Sequence, residues 1–188
     1  MSIAWQCKAL GISRSVAYYE KKHTVPEQDL VVLEHICSVS ESGRATDLTY
    51  IKLPSGHVYL MAIIDLYSRR VLNWIITNTL DAPIFTNCLR VTIEQYGCPA
   101  IFKPDQGCQF TSDCWTSVLL EHVILISMDG KNRALDNIYV ERLWRSLKYE
   151  DIYIKQYESV RGLRDGVARY FRFYNTERFH QSLDYRTP

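Results

Sequence analysis

The chain lacks most of the features that would place it in a specialised class. No stretch approaches the roughly 18 uninterrupted apolar residues that a membrane-crossing helix requires, so no transmembrane segment is expected. The first residues, Met1-Ser2-Ile3-Ala4-Trp5, have neither the basic start nor the apolar run of a secretory signal, which makes a cytoplasmic protein the expectation. Cysteines are present at 7, 37, 88, 98, 108 and 114, but they form no Cys-x-x-Cys pair and do not alternate with histidines at zinc spacing. They read as buried or idle thiols. Charge of one sign is also scarce, the net value being +1, and taken alone this gives weak support for a nucleic-acid partner. Its distribution says more: between Lys131 and Arg186 there are 12 basic and 8 acidic residues, so the basic surplus sits at the carboxyl end.

At 188 residues and 47% apolar content, the chain suits one domain of ordinary size with an appendage. Residues 3 to 22 read as two short helices around Leu10-Gly11-Ile12-Ser13, the outline of a helix-turn-helix, and Pro26-Glu27 can open a third helix reaching about Ser38. This gives a helical piece over 1–39. The polar stretch around Ser40-Glu41-Ser42-Gly43-Arg44 is read as a linker over 40–46, ahead of a main domain at 47–155 and a helical tail at 156–188.

The main domain opens on a strand from Asp47, turned by Pro54-Ser55-Gly56 into a nearly continuous apolar strand, Val58 to Ile64. Asp65-Leu66-Tyr67-Ser68 turns again into Val71 to Thr77. Asp81 is placed to cap a helix reaching Tyr96, with Pro83 early where proline is tolerated. A strand delivers Asp105 at its carboxyl end. Thr111 or Ser112 caps a helix carrying Trp115, Val118 and Leu119, and Val123 to Ile126 makes a fifth strand. Met128 to Asp136, which holds Lys131 and Arg133, has no periodicity and reads as a loop. From Asn137 the apolar residues Ile138, Val140, Leu143, Trp144 and Leu147 recur at helical spacing, with Glu141, Arg145 and Lys148 along another face.

Three meandering strands followed by alternating helix and strand is a mixed α/β sheet. A right-handed crossover through the helix at 81 to 96 lays the fourth strand beside the first. Asp47 and Asp105 then sit on neighbouring strands, and the Glu141 helix packs across them. Three carboxylates with no histidine or thiolate suit magnesium or manganese. Two such ions about 3.5 to 4 Å apart stabilise charge on the entering and leaving oxygens of a phosphodiester. The bland alternative treats the acids as a strand end, a turn residue and an exposed helix position. Asp65 has two readings as well, a fourth acid or a cap for the Tyr67-Ser68 turn. Arg145 and Lys148 are either phosphate contacts or solvated helix charges, and Arg178 and His180 either contact DNA or finish the tail.

The phrases around these acids are specific. Thr46-Asp47-Leu48-Thr49-Tyr50-Ile51, Ala62-Ile63-Ile64-Asp65-Leu66-Tyr67-Ser68-Arg69, Asp105-Gln106-Gly107-Cys108-Gln109-Phe110-Thr111-Ser112 and Val140-Glu141-Arg142 follow in order, with 35 residues between Asp105 and Glu141. In order and spacing they resemble the catalytic core shared by retroviral integrases and bacterial insertion-sequence transposases of the OrfB type. Tyr174-Asn175-Thr176-Glu177-Arg178 and His180-Gln181-Ser182-Leu183 resemble the tail of the same transposases, so the likeness covers about 46 to 188.

The resemblance implies a ribonuclease-H-like fold, a five-stranded mixed sheet flanked by helices, with a small helical appendage before it. It implies Asp47, Asp105 and Glu141 as an acid triad holding two divalent ions, magnesium or manganese. Lys131, Arg133, Arg145 and Lys148 are the candidate DNA contacts. The implied activity is DNA strand cleavage and strand transfer: water attacks a phosphodiester at the element's end, and the freed 3′ hydroxyl attacks target DNA. Element ends and target DNA are the implied partners, with a homo-oligomer assembled on them and a location at the nucleoid when bound.

The likeness has departures. Leu10-Gly11-Ile12-Ser13-Arg14-Ser15 and the paired Tyr18-Tyr19 resemble the start of those transposases, yet the long helical region expected before the first aspartate is nearly absent. Arg44-Ala45-Thr46 stands where the family usually has a tryptophan, and Pro104 where it usually has a threonine. An internally deleted copy is the reading, which bears on end recognition more than on the catalytic fold. Two other readings stay open, a catalytically inactive DNA-binding remnant and a ribonuclease-H-like nuclease.

Overall fold

The computed structural model describes residues 43–105, 107–127 and 138–188. The helical piece at 1–39, the loop residues Lys131 and Arg133, and Gln106 lie outside the described residues. Five strands form one sheet: β1 (Gly43–Leu53), β2 (Gly56–Asp65), β3 (Val71–Thr77), β4 (Ile101–Pro104) and β5 (Leu125–Ile126), in the order β3-β2-β1-β4-β5. The meander pairs antiparallel, while β1 with β4 and β4 with β5 pair parallel. The fourth strand does return to lie against the first, as the crossover argument requires.

β2 shows why its sequence is almost uninterruptedly apolar. Leu60, Ala62 and Ile64 enter one core cluster while the alternate residues Met61 and Ile63 enter the other, so the strand is covered on both faces. One cover consists of α1 (Ala82–Tyr96) and α2 (Asp113–Glu121), through Phe85, Leu89, Trp115 and Leu119. The other consists of α3 (Ile138–Leu147) and α5 (Val160–Thr176), through Val140, Leu143, Leu163, Val167 and Phe171.

Two boundaries differ from the sequence reading. The expected linker at 40–46 overlaps β1, which begins at Gly43, because residues 43 to 46 pair with all four residues of β4 and residues 44 to 46 also with β2. Arg44 is central to that pairing: its guanidinium donates to the carbonyls of Tyr96 and Gly97, at 2.6 and 2.7 Å, closing the carboxyl end of α1 where carbonyls lack helical partners. Gly97, at φ 74, makes the turn that exposes them. The fifth strand is shorter than expected, since Val123 and Ile124 donate back to the carbonyls of Leu120 and Leu119 and so finish α2 before the strand can start. The caps also differ: Asp81 and Ser112 occupy the expected cap positions but neither side chain makes a capping bond.

The carboxyl segment is not a detached tail. α5 packs on β3, Trp74 meets Phe171 edge-on at 5.8 Å, and Asn175 both accepts from and donates to the backbone of Val71, at 2.9 and 2.8 Å. These amide bonds satisfy the first residue of an edge strand that otherwise has only β2 beside it. Before α5 comes a wide π-helical turn, Lys148–Ile152, and the single turn α4, Tyr153–Lys155. The π turn carries Asp151, 2% exposed, into the interior, where its carboxylate accepts from the Tyr157 hydroxyl at 2.7 Å and from Lys155 Nζ. Tyr157 in turn presses on α5 at Gly166, where an added Cβ would stand 1.9 Å from the phenolic oxygen. Gly166→Ala is therefore expected to lower stability by about 1 to 3 kcal/mol through overpacking, read as a reduced urea midpoint at unchanged slope. A loss below about 0.5 kcal/mol would mean that the ring swings away freely, against the role given to the Asp151 bond.

Candidate active site

The paired stretch of β1 and β4 ends at Thr46 opposite Pro104. Asp47 is the next residue of β1 and Asp105 the first after β4, so the two acids stand at the same level where the parallel pairing stops, Asp47 still within its strand. Pro104 fits there: β4 pairs with β5 only as far as Phe102, so by Pro104 the strand has one neighbour and one fewer backbone donor is required. Thr46, fully buried just before the acid, donates its hydroxyl to the carbonyl of Ala62 at 2.9 Å and fixes this end of β1 on β2.

Asp47 is half-buried and its two oxygens are engaged separately. Oδ1 accepts from the Leu48 backbone N–H at 2.7 Å, and Oδ2 accepts from the Trp144 indole N–H at 2.9 Å. Burial holds the Asp47 carboxyl above its usual range; the two hydrogen bonds pull it down, and the charges of Asp105 and Glu141 push it up further. Those two contributions place Asp105 and Glu141 within electrostatic reach of Asp47. Glu141 is exposed in the first turn of α3, three residues before Trp144, and Asp105 is exposed after β4. Among the described residues no group of three or more His, Cys, Asp or Glu side chains closes on one metal-holding point.

The other candidates separate. Lys148, half-buried on the turn that follows α3, has its ammonium pulled down by burial and held up by the charge of Asp47. Arg145 lies elsewhere, in a small cleft with Arg142, Ser146 and Arg178. Asp65 is occupied as a turn cap, Oδ2 accepting from both the Ser68 N–H and its hydroxyl at 2.7 Å. Arg178 is also occupied: it grips Glu150 through Nε at 2.8 Å and Nη2 at 2.6 Å, and the Tyr170 hydroxyl joins them at 2.8 Å. His180 stacks edge-on to Tyr174 at 4.6 Å. Sequence reasoning placed Trp144 in the core, which is right, but missed its indole as a donor to Asp47. The available signal was its position one helical turn from Glu141, on the face turned toward β1.

Integrase core domain models match the chain over residues 44–134 and again over 122–188. The chain belongs to the integrase core domain family. Among curated relatives, the transposase of insertion sequence element IS904 from Lactococcus lactis is 31% identical over 145 residues, covering 76% of this chain and 57% of that protein. The transposase InsF of insertion sequence IS3A from Escherichia coli is 29% identical over 164 residues, covering 85% of this chain and 57% of that protein. The chain thus spans a little over half the length of these relatives. Among solved structures, the HTLV-2 integrase catalytic core domain in complex with magnesium superposes with a TM-score of 0.60 at 16% identity, covering 77% of this chain and 91% of that one. The catalytic core domain of BIV integrase gives 0.59 at 16%, covering 74% and 86%. At that identity the likeness speaks for the fold, a ribonuclease-H-like mixed sheet.

For this integrase core the Trp144 bond can be isolated. Trp144→Phe removes the donor from Asp47 while keeping an aromatic ring in the core. Because the bond favours the ionised carboxylate, its loss should raise the Asp47 pKa still further. A carboxyl raised by folding favours the folded state below the ordinary aspartate range and loses that contribution as pH rises through its folded value. The variant should therefore show an additional loss of about 1 kcal/mol at neutral pH that disappears as pH falls through the Asp47 value, on top of a pH-independent packing loss. Urea midpoints across that range read both parts, and a purely pH-independent difference would remove the bond from the account.

Proposed function

We propose that this domain performs divalent-metal-dependent cleavage and joining of DNA strands, as the catalytic part of an insertion-sequence transposase. The observation that carries the reading is Asp47, a half-buried carboxylate level with Asp105 where the pairing of β1 with β4 ends, and under the electrostatic influence of Glu141. Clustered acids repel, and a cation among them turns that repulsion into ligation. The donor set fits: all three groups offer carboxylate oxygen, suited to magnesium or manganese and not to a soft metal. Two divalent ions held there would stabilise charge on the attacking and departing oxygens of a phosphodiester.

The chain's own residues supply the rest. Trp144 and the Leu48 N–H fix the orientation of Asp47, each leaving lone pairs on its oxygen for a second partner. Lys148, drawn toward Asp47, is positioned to hold a phosphate oxygen beside the reacting one. Lys131, Arg133 and Arg145 are further DNA contacts in this reading. Assembly as a homo-oligomer on DNA and a cytoplasmic setting belong to it too. The nuclease reading is weaker, because Asp65, the acid that could have made a fourth ligand, is committed to the Ser68 turn.

Purified protein should nick and join duplex DNA with magnesium or manganese, and Asp105→Asn or Glu141→Gln should abolish this while DNA binding persists. Binding without reaction in the unsubstituted protein would favour the inactive remnant. Metal addition should also raise the melting temperature by mass action, with Asp47→Asn removing most of the gain. Protonated Asp47 cannot ligate, so the gain should fade as pH falls through its elevated pKa, earlier than for an ordinary carboxylate. Lys148→Ala should reduce the slope of log affinity against log salt by about one, and an unchanged slope would return Lys148 to a structural role.

A further inference from the structure

One polar atom of the carboxyl segment is buried and unanswered. His180 is 9% exposed, its backbone is tied by bonds with Leu183, Tyr185 and Arg186, and its ring lies edge-on to Tyr174 at 4.6 Å. One ring nitrogen bonds to the Tyr174 carbonyl, while the other, Nε2, has no partner among the described residues. A buried nitrogen left in this way costs stability unless something else supplies its bond.

His180 forms part of the wall of a cleft of about 360 Å³ between α3 and the carboxyl segment. Arg142, Arg145 and Ser146 line it from α3, at the i, i+3 and i+4 spacing that runs along one flank of a helix. Arg178 ties the two walls together: its Nη2 donates to Ser146 Oγ at 3.4 Å, and its guanidinium stands 5.8 Å from the centre of the Tyr174 ring. Arg178 is committed to Glu150, but Arg142 and Arg145 are exposed and, among the described residues, form no ion pair. No carboxylate lines the cleft, and none of the three candidate catalytic acids reaches it.

This donor set has a definite chemistry. Guanidinium forks match the oxygens of a phosphate group. The histidine then distinguishes one phosphate from another. Burial and the charge of Arg178 hold the His180 imidazole below its ordinary value, with Arg69 acting the same way and the Tyr174 carbonyl and Glu150 opposing. Nε2 is therefore an acceptor at neutral pH and pairs with an acidic hydrogen. Orthophosphate and phosphomonoesters carry one, with a second ionisation near about pH 6, whereas a phosphodiester has none to give.

We propose that the cleft binds a phosphate group that keeps an ionisable hydroxyl, orthophosphate or a phosphomonoester, gripped by Arg142 and Arg145 and sharing a proton with His180 Nε2. Slightly above neutral pH the free ligand is mainly the dianion, so binding draws a proton from solvent to lie between the nitrogen and a phosphate oxygen. The site needs no metal and goes beyond the strand-transfer reading.

The full chain is titrated by calorimetry slightly above neutral pH, without divalent metal and at constant ionic strength. The ligands are orthophosphate, a deoxynucleoside 5′-monophosphate and dimethyl phosphate, each in two buffers of unlike ionisation enthalpy. The first two should bind with uptake of close to one proton per site, and dimethyl phosphate at least about tenfold more weakly with no uptake. Tighter binding of the nucleotide assigns the site to an esterified phosphate, tighter binding of orthophosphate to the free ion, and either supports the proposal. His180→Phe keeps a ring against Tyr174 and should abolish both the uptake and the preference over the diester. Arg142→Gln with Arg145→Gln, at exposed positions that leave the core intact, should weaken orthophosphate binding at least about tenfold at an unchanged melting temperature. Equal affinity for dimethyl phosphate, or uptake that survives in folded His180→Phe, would overturn the proposal and reduce the arginines to contacts with a DNA backbone. Failure of both orthophosphate and the nucleotide to bind would overturn it too, leaving Nε2 to a trapped water. DNA cleavage and joining, measured separately with magnesium, stand or fall independently of these outcomes.

Discussion

A carboxylate taken partly out of water within a strand, at the level where its parallel neighbour ends, is the constraint on which the arrangement turns. Asp47 cannot ionise comfortably where burial and two neighbouring acids oppose it, and the fold answers with two aimed donors. One is backbone and comes at no cost in side-chain order. The other is the Trp144 indole, whose ring is already buried among Val140, Leu143 and Leu147. The same residue therefore anchors α3 to the core and directs that helix's Glu141 turn toward β1. Packing and site assembly are one event here, so a substitution at Trp144 acts on both.

The second constraint is the brevity of β4. It runs for only four residues, closed by Pro104, and its end releases Asp105 into solvent beside Asp47. The same ending leaves the rest of β1 without a strand on that side among the described residues. An open edge is ordinarily a liability. Here the segment after α3 stands across from it, its π turn held by the interior Asp151 and its position locked by Tyr157 against Gly166.

The fold was legible in the sequence to the extent that periodicity carries it. β2, doubly covered, reads as an apolar run, and α3 reads as an amphipathic helix, because in each case burial dictates residue type at every position. The place of β4 beside β1 followed from connection handedness. What could not be read depends on partners distant in sequence. Arg44 looks like a polar linker residue until the end of α1 arrives with two carbonyls. The Trp144 hydrogen bond was not legible either, since an apolar periodicity conceals the one polar atom of an indole.

Charge is where counting misleads most. The basic surplus between Lys131 and Arg186 suggests a broad DNA-facing surface, but several of its cations are already committed inside the protein. Arg178 is clamped on Glu150 and Lys155 is paired with Asp151. Elsewhere Arg44 closes α1, and Arg69 lies over the Tyr139 ring at 3.3 Å. A guanidinium engaged in two directed bonds gives up much of its capacity to follow a phosphate. The cations left nearest the acids are few, and Lys148 stands out among them because its charge is coupled to Asp47.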